Sequence, residues 1–215
     1  MSKSGYTLAE VLITLGIIGV VAAITLPALI KNYQMKVYEN AFKKEYSTIQ
    51  NAVNYITTTE ELNECFVAYP TGSSSYQIIT TDCSKIREEL VNNLQLQKVD
   101  NNMYQLYAKL NEVLANGGTT KNAAVTYDYG LQTSSKYMQK DGSFIFISGY
   151  TIIFDTNGKK GPNKWGYDIF WMNLTKHDSG KILLTDNLAS LKEKGGRYPK
   201  EILRGETNSK DNTKW

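Results

Sequence analysis

The chain has 215 residues, of which 41% are hydrophobic and 21% charged, which is typical of a folded domain with an appended element and excludes a wholly disordered chain. Its net charge of +3 is small and is spread along the sequence, so we expect no nucleic-acid partner. The sequence has one histidine and lacks the G-x-S-x-G, H-E-x-x-H and phosphate-loop motifs, so we expect no enzyme activity.

The first predicted element is a helix that spans a membrane. Residues 11–30 read VLITLGIIGVVAAITLPALI and carry no charge. At ~1.5 Å per residue such a helix is about 30 Å long, which matches the hydrocarbon core of a bilayer. The apolar region of a secretory signal peptide is shorter, about 7–15 residues. A buried core helix would need a large domain to cover it on all sides, so we predict a transmembrane helix.

Glu10 lies directly before this apolar run. An ionisable side chain at the edge of the hydrocarbon is costly and is retained where it has a partner or a role, although a carboxylate can also lie in the headgroup layer. The neighbouring residues favour a role. The stretch KSGYTLAE at residues 3–10, followed by the apolar run, resembles the type III signal of type IV prepilins and type II secretion pseudopilins.

The resemblance implies a processing reaction. A prepilin peptidase would cut after Gly5 on the cytoplasmic side, which removes residues 1–5, and would methylate the new amino group of Tyr6. Glu10 would then be the fifth mature residue. In the filament its carboxylate would pair with the Tyr6 amine of a neighbouring subunit, in a core of low dielectric where an unpaired charge is costly. Pro27 matches the proline of the family's apolar helix, where we expect a kink or local melting.

The resemblance also implies a function and a location. It indicates a membrane-anchored pseudopilin, a structural filament subunit of a type II secretion system for protein export; the alternative is a minor type IV pilin with an adhesive or DNA-uptake head. The implied partners are the prepilin peptidase, other pilin or pseudopilin subunits, an inner-membrane assembly platform and the lipid bilayer. The implied topology is a single pass through the bacterial inner (cytoplasmic) membrane, with the N-terminus cytoplasmic and the head periplasmic or extracellular. The lysines that flank the run give no orientation of their own.

After the membrane span the pattern becomes amphipathic. Apolar residues recur at three- and four-residue spacing from Tyr33 to Ile56, with Lys and Glu between them, which predicts a helix that continues to about Thr58. We divide the chain into a leader (1–5), a transmembrane and filament-core helix (6–30), its amphipathic extension (31–59), a globular head (60–204) and a polar tail (205–215) that we expect to be mobile.

The first part of the head contains a loop and two helices in this prediction. Residues 60–84 are polar, include the turn-forming stretch TGSSS at 71–75, and contain both cysteines, Cys65 and Cys83. An exported chain would allow these two to form a disulfide, and free buried thiols are the alternative. Helical spacing follows at 86–96 and at 104–114, where Gly117-Gly118 would end the second helix.

From Tyr137 onward the apolar residues alternate, which predicts strands. The turn signal Asp141-Gly142 indicates a hairpin, and further strands are predicted at 150–154, 167–174 and 181–184. Strands joined by short turns form an antiparallel meander. We therefore predict an α+β fold in which the long N-terminal helix packs on an antiparallel sheet, as in pilins.

One loop in the sheet region contains a candidate metal site. Its carboxylate and amide side chains, with glycine turns between them, are the kind of oxygen donors that calcium requires, and we name Asp155, Asn157 and Asp168 as ligands. The loop is not an EF-hand, since Lys159 stands where that motif needs an oxygen donor. It resembles calcium-holding loops of some pseudopilins; an ordinary turn is the alternative. We predict no other cofactor.

Overall fold

The computed structural model describes residues 5–59, 65–68, 77–80, 82–100, 114–115, 134–176, 180–186, 191–193 and 195–205. The chain divides into two compact units, Met1–Val37 and Tyr38–Trp215. The second unit, called the head below, contains the sheet.

The longest element is helix α1, Leu8–Thr59, which confirms the prediction of one helix through the apolar run and its amphipathic extension. Within the head, α1 buries an apolar stripe formed by Phe42, Ile49, Val53 and Ile56. This spacing of three, four and seven residues places the four side chains on one face. The helix ends in three consecutive threonines, whose hydroxyl groups each donate to a carbonyl four residues earlier. Such β-branched side chains lower helix propensity, which favours termination there.

The remaining elements are short. The strands are β1 (Cys65–Ala68), β2 (Gln77–Thr80), β3 (Gln97–Lys98), β4 (Leu114–Ala115), β5 (Ser135–Met138), β6 (Phe144–Ser148), β7 (Thr151–Asp155), β8 (Ile169–Lys176), β9 (Ile182–Asp186) and β10 (Leu191–Lys192). The helices are α2 (Ser84–Asn93) and α3 (Pro199–Arg204). Most strands form one sheet in the order β2-β1-β8-β7-β6-β5-β3, with β9 also paired to β8, while β10 pairs with β4.

The core of the head lies between α1 and one face of this sheet. Phe154 of β7 pairs with Phe170 of β8, and Ile152 pairs with Met172. All four side chains are fully buried in the cluster that contains Phe42. The ring of Phe42 lies 4.5 Å from that of Phe170 and 5.7 Å from that of Phe154, measured between centroids. Alternate residues of a strand share a face, and the residues between these four, such as Ile153 and Trp171, are also buried, so both faces of the central strands are covered.

The predicted α+β, pilin-like architecture is confirmed, but the sheet is mixed rather than wholly antiparallel. β1 runs parallel to the end of β8, with Val67 opposite Thr175. Strands β1 and β2 also lie in the stretch predicted as a loop. No hairpin connects β1 to β8, so the local turn signals that indicate antiparallel neighbours do not apply to this pair. Both strands have only four residues, too few for a clear periodic pattern beside a serine-rich turn.

Other predicted elements have different outcomes. Helix α2 and the hairpin at Asp141-Gly142 are confirmed, as are the three later strands. The helix predicted at 104–114 and its glycine cap lie outside the described residues, apart from Leu114, which belongs to β4. The tail from 206 onward also lies outside the described residues, and the domain boundaries stay predictions.

The two cysteines form the predicted disulfide. Their sulfur atoms are 2.00 Å apart and their Cα atoms 5.1 Å apart. Cys65 is the first residue of β1, and Cys83 immediately precedes α2. The disulfide therefore attaches the β1–β2 hairpin to the start of the second helix.

Candidate functional site

The predicted processing site lies in a short segment before α1. Residues Gly5, Tyr6 and Thr7 are not helical, and Tyr6 is 89% exposed. A β-carbon added at Gly5 would have no atom within 4 Å. The Gly5–Tyr6 peptide bond is thus accessible and free of helical hydrogen bonds in the isolated chain.

Glu10 and Thr7 form a capping box at the start of α1. The backbone N–H of Thr7 donates to Glu10 Oε2 at 2.8 Å, and the Thr7 hydroxyl donates to the same oxygen at 2.9 Å. In return, the N–H of Glu10 donates to Thr7 Oγ1 at 3.3 Å. These bonds satisfy N–H groups that lack partners at a helix N-terminus. The Thr-x-x-Glu pattern at 7–10 was the sequence signal for this box, which the sequence analysis missed.

The apolar part of α1 has the properties expected of a membrane span. Among the described residues, α1 is the one helix long and apolar enough to cross a bilayer. None of its most apolar stretch is buried within the chain. The backbone is helical on both sides of Pro27. A kink or melting at that residue within a membrane or filament stays a prediction.

The loop at 155–168 is organised by its two buried aspartates. Asp155 Oδ1 accepts the backbone N–H groups of Asn157 at 3.1 Å and Gly158 at 3.0 Å. Asp168 Oδ2 accepts the N–H of Asn163 at 2.8 Å, and its Oδ1 accepts that of Lys164 at 2.7 Å. Burial raises the pKa of Asp168, and these backbone hydrogen bonds oppose that rise. The carboxylates hold the turns of the loop in place.

The three predicted calcium ligands all lie in this loop. The Asn157 side chain hydrogen-bonds Asp168, and Asn157 Nδ2 donates to the carbonyl of Gly161 at 3.3 Å. Asn157 Oδ1 is buried without a hydrogen-bond partner, so it is the oxygen donor most available to a cation. Both carboxylates are already engaged with N–H groups, and no group of three or more His, Cys, Asp or Glu residues in the described ranges is arranged to hold a metal. Calcium binding therefore stays a prediction.

The segment at 193–197 forms backbone hydrogen bonds with this loop. The N–H of Glu193 donates to the carbonyl of Trp165 at 2.9 Å, and the N–H of Arg197 donates to that of Gly166 at 2.8 Å. A β-carbon at Gly166 would lie 2.8 Å from backbone atoms of Arg197, and its φ is +79°. Only glycine allows this close approach at that backbone conformation.

Two contacts join the start of the head's helix to the loop at 155–168 and to the segment before α3. The Arg197 guanidinium pairs with Glu39, and the ring of Tyr38 packs edge-on against that of Tyr167 at 6.0 Å. The sequence showed no local signal for the ion pair, because its residues are 158 positions apart.

The next turn of α1 holds a second polar network. Lys44 Nζ donates to Asp141 Oδ2 at 2.8 Å. The amide nitrogen of Gln139 donates both to Glu45 Oε1 and, at 2.8 Å, to the hydroxyl of Ser143. Burial raises the pKa of Glu45 to about 7. A neutral, protonated carboxyl group is therefore favoured at this position in mildly acidic conditions.

Comparison with known proteins identifies the N-terminal part of the chain. Residues 1–26 match the family model described as the prokaryotic N-terminal methylation motif. No curated protein and no solved structure matches the chain significantly. The match confirms the prepilin-type signal of type IV pilins and pseudopilins, and it indicates a membrane-anchored, pilin-like precursor processed by a prepilin peptidase.

Proposed function

We propose that this chain is a pseudopilin, a structural filament subunit of a type II secretion system, anchored in the bacterial inner membrane with its head on the outer side. The observation that carries the proposal is the methylation motif at residues 1–26, which precedes an exposed apolar helix. Its role is structural rather than catalytic: the helix anchors the subunit and later packs in the filament core, while the head forms the outer part of the filament.

The arrangement around Glu10 supports an assembly role. After cleavage, the amino group of Tyr6 is a cation, and it has no counter-ion in an apolar filament core unless a neighbour supplies one. A carboxylate in the same core also lacks a counter-ion, so each charge is strongly destabilised without the other. In the isolated chain the Thr7 cap holds Glu10 in its charged, hydrogen-bonded form. We propose that on assembly this carboxylate binds the Tyr6 amine of the adjacent subunit.

We favour the secretion filament over a surface fibre because the basic residues are dispersed along the sequence. An adhesive or DNA-uptake head would be expected to have aromatic and basic residues clustered on one exposed face.

Deleting the gene in its host separates the two functions. Loss of protein secretion with intact surface fibres supports the secretion filament, and loss of fibres, adhesion or DNA uptake with normal secretion supports the minor pilin.

The processing step is tested by the intact mass of the membrane-extracted protein, with and without the cognate prepilin peptidase. We expect loss of residues 1–5 and addition of one methyl group to Tyr6 only when the peptidase is present. Gly5→Leu, which places a bulky side chain at the cleaved bond, should stay uncut. An uncut wild-type chain in the presence of an active peptidase would contradict the proposal.

The assembly role of Glu10 is tested by a matched pair of variants. Glu10→Gln removes the charge but retains an acceptor for the cap, whereas Thr7→Val removes the hydroxyl contacts but retains the charge. If Glu10 pairs with a neighbouring amine, Glu10→Gln should abolish filament formation and Thr7→Val should leave it largely intact, with both chains processed normally. Equal loss in both variants would show that the helix cap, and not the charge, is what assembly requires.

A further inference from the structure

Strand β9 lies at an edge of the head's sheet. It has one strand neighbour in the described part of the chain, β8, with which Leu184 pairs with Leu174 and Ile182 with Lys176. The backbone groups of alternate residues in an edge strand point away from the sheet and are free to pair with another chain. Proteins commonly protect such edges with proline, inward-pointing charges or a bulge. Residues 182–185 of β9 read ILLT and contain no charge or proline.

The side-chain amide of Gln50 occupies the place of a neighbouring strand. Its Oε1 accepts the backbone N–H of Leu184 at 2.7 Å, and its Nε2 donates to the carbonyl of Ile182 at 3.3 Å. A residue of an added antiparallel strand would bind both the N–H and the C=O of Leu184, and the Gln50 amide occupies the first of these two groups. Gln50 lies on α1 and is 9% exposed. Its nitrogen also donates to Asn54 Oδ1 at 2.9 Å, which fixes the orientation of the amide.

Two further contacts extend this cover toward the end of β9. The hydroxyl of Tyr46 donates to the carbonyl of Leu184 at 3.3 Å, so Gln50 and Tyr46 together occupy both backbone groups that an antiparallel partner of Leu184 would bind. At the last residue of the strand, Asp186 Oδ2 accepts the N–H of Lys200, the second residue of α3, at 3.4 Å. At the other end, the helix and strand separate around a cavity of about 520 Å³ lined by residues that include Thr58 and Gly180. In the described part of the chain, Gln50 is the side chain of α1 nearest this cavity that hydrogen-bonds the backbone of β9.

We propose that Gln50 and Tyr46 make α1 a substitute strand that blocks β9 from pairing with another copy of this chain. An antiparallel β9–β9 contact is related by a two-fold axis, so each copy presents the same edge and the pattern of donors and acceptors is self-complementary. Opening the edge should convert this strand into a site for association of two heads. The inference concerns the head alone and does not depend on the proposed function.

The test measures hydrogen exchange and mass on the full chain in detergent micelles. Gln50→Leu keeps the size and burial of the side chain but removes both hydrogen bonds to β9. We expect exchange in the peptide covering 182–186 to increase about 10-fold, as for the loss of two hydrogen bonds. Light scattering should show the protein component of the micelle doubling at concentrations where the wild type is a monomer.

Two other variants separate edge opening from general destabilisation. Asn51→Leu makes the same kind of change at an exposed neighbouring residue and should leave exchange and mass at wild-type values. Tyr46→Phe keeps the ring, which packs on Phe42, and removes only the hydroxyl; exchange at 182–186 should rise by a few-fold. If Gln50→Leu unfolds the head, hydrogen exchange also rises in β6 and β7. In that case the exchange at 182–186 and the mass of Tyr46→Phe test the proposal.

Three outcomes would overturn the proposal. Unchanged exchange in β9 in both Gln50→Leu and Tyr46→Phe would mean that the strand is protected from exchange without these side-chain contacts. A uniform rise across the sheet in Tyr46→Phe would mean that the hydroxyl acts only on global stability. A local rise in β9 with the mass of the wild type would mean that an open edge does not pair with a second copy.

Discussion

Replacing Glu45 by glutamine tests whether a buried carboxyl group makes the head's stability depend on pH. Glu45 is 3% exposed and accepts a hydrogen bond from Gln139. Burial is the largest cause of its raised pKa. Asp141 adds to the rise, while the Gln139 hydrogen bond and the charge of Lys44 reduce it.

The magnitude follows from the difference between the folded and unfolded pKa values of Glu45. The value rises from 4.5 to about 7, and a gap of about 2.5 corresponds to about 3 kcal/mol. Because the folded value is higher, the folded state binds the proton more tightly. The stabilisation is fully present below pH 4.5, is lost as the pH rises through about 7, and does not change further above that value. Asp186 has a pKa raised in the same direction to about 7, also by burial, so the wild type has a second contribution of the same sign.

The assay is urea unfolding of the full chain in detergent, with the disulfide intact, followed by the fluorescence of Trp165 and Trp171 in the head. Glutamine resembles the protonated carboxyl group and cannot ionise. Glu45→Gln should therefore match the wild type near pH 4.5 and exceed its free energy of unfolding by about 3 kcal/mol at pH 8. Asp186 contributes equally to both proteins, so the difference between the two curves isolates Glu45.

Glu88→Gln, at an exposed position of α2, is the matched control. Its free energy of unfolding should vary with pH in the same way as that of the wild type. Parallel curves for Glu45→Gln and the wild type would refute the reasoning, because they would mean that Glu45 has the same pKa in the folded and unfolded states. A difference that grows toward acid pH would show a lowered pKa, the opposite of the effect expected from burial.

Three further predictions concern the core, the disulfide and the loop at 155–168. Phe42→Ala should cost about 3–5 kcal/mol of unfolding free energy because it leaves a cavity beside two phenylalanine rings, whereas Tyr55→Ala, 60% exposed, should cost less than about 1 kcal/mol. Replacing Cys65 and Cys83 together by serine should lower that free energy by about 3 kcal/mol, since the disulfide closes a loop of 18 residues in the unfolded chain; equal stability would contradict this. A calcium site in the loop at 155–168 predicts that calcium, but not magnesium, raises the melting temperature and that EDTA reverses the rise; no shift would favour an ordinary turn.

The sequence was most informative where structure and function depend on short patterns. The uninterrupted apolar run, the KSGYTLAE stretch before it and the period of the apolar residues after it were sufficient to predict α1 and its processing signal. The alternation from Tyr137 and the Asp141-Gly142 turn were sufficient for the β5–β6 hairpin. In each case the residues that interact are close in sequence, so local propensity and periodicity determine the outcome.

The tertiary structure decided what depends on residues far apart in the chain. The parallel placement of β1 beside β8, the ion pair of Glu39 with Arg197 and the bonds of Gln50 to β9 have no local signal, since each needs a backbone placed by the packing of the whole head. The raised pKa of Glu45 is of the same kind: its position in the amphipathic pattern suggested a solvent-facing residue, and only the packed β5–β6 turn removes it from water. Sequence determined the anchor and the elements with clear local patterns, and long-range packing determined the remaining strand pairs and which polar groups are buried and paired.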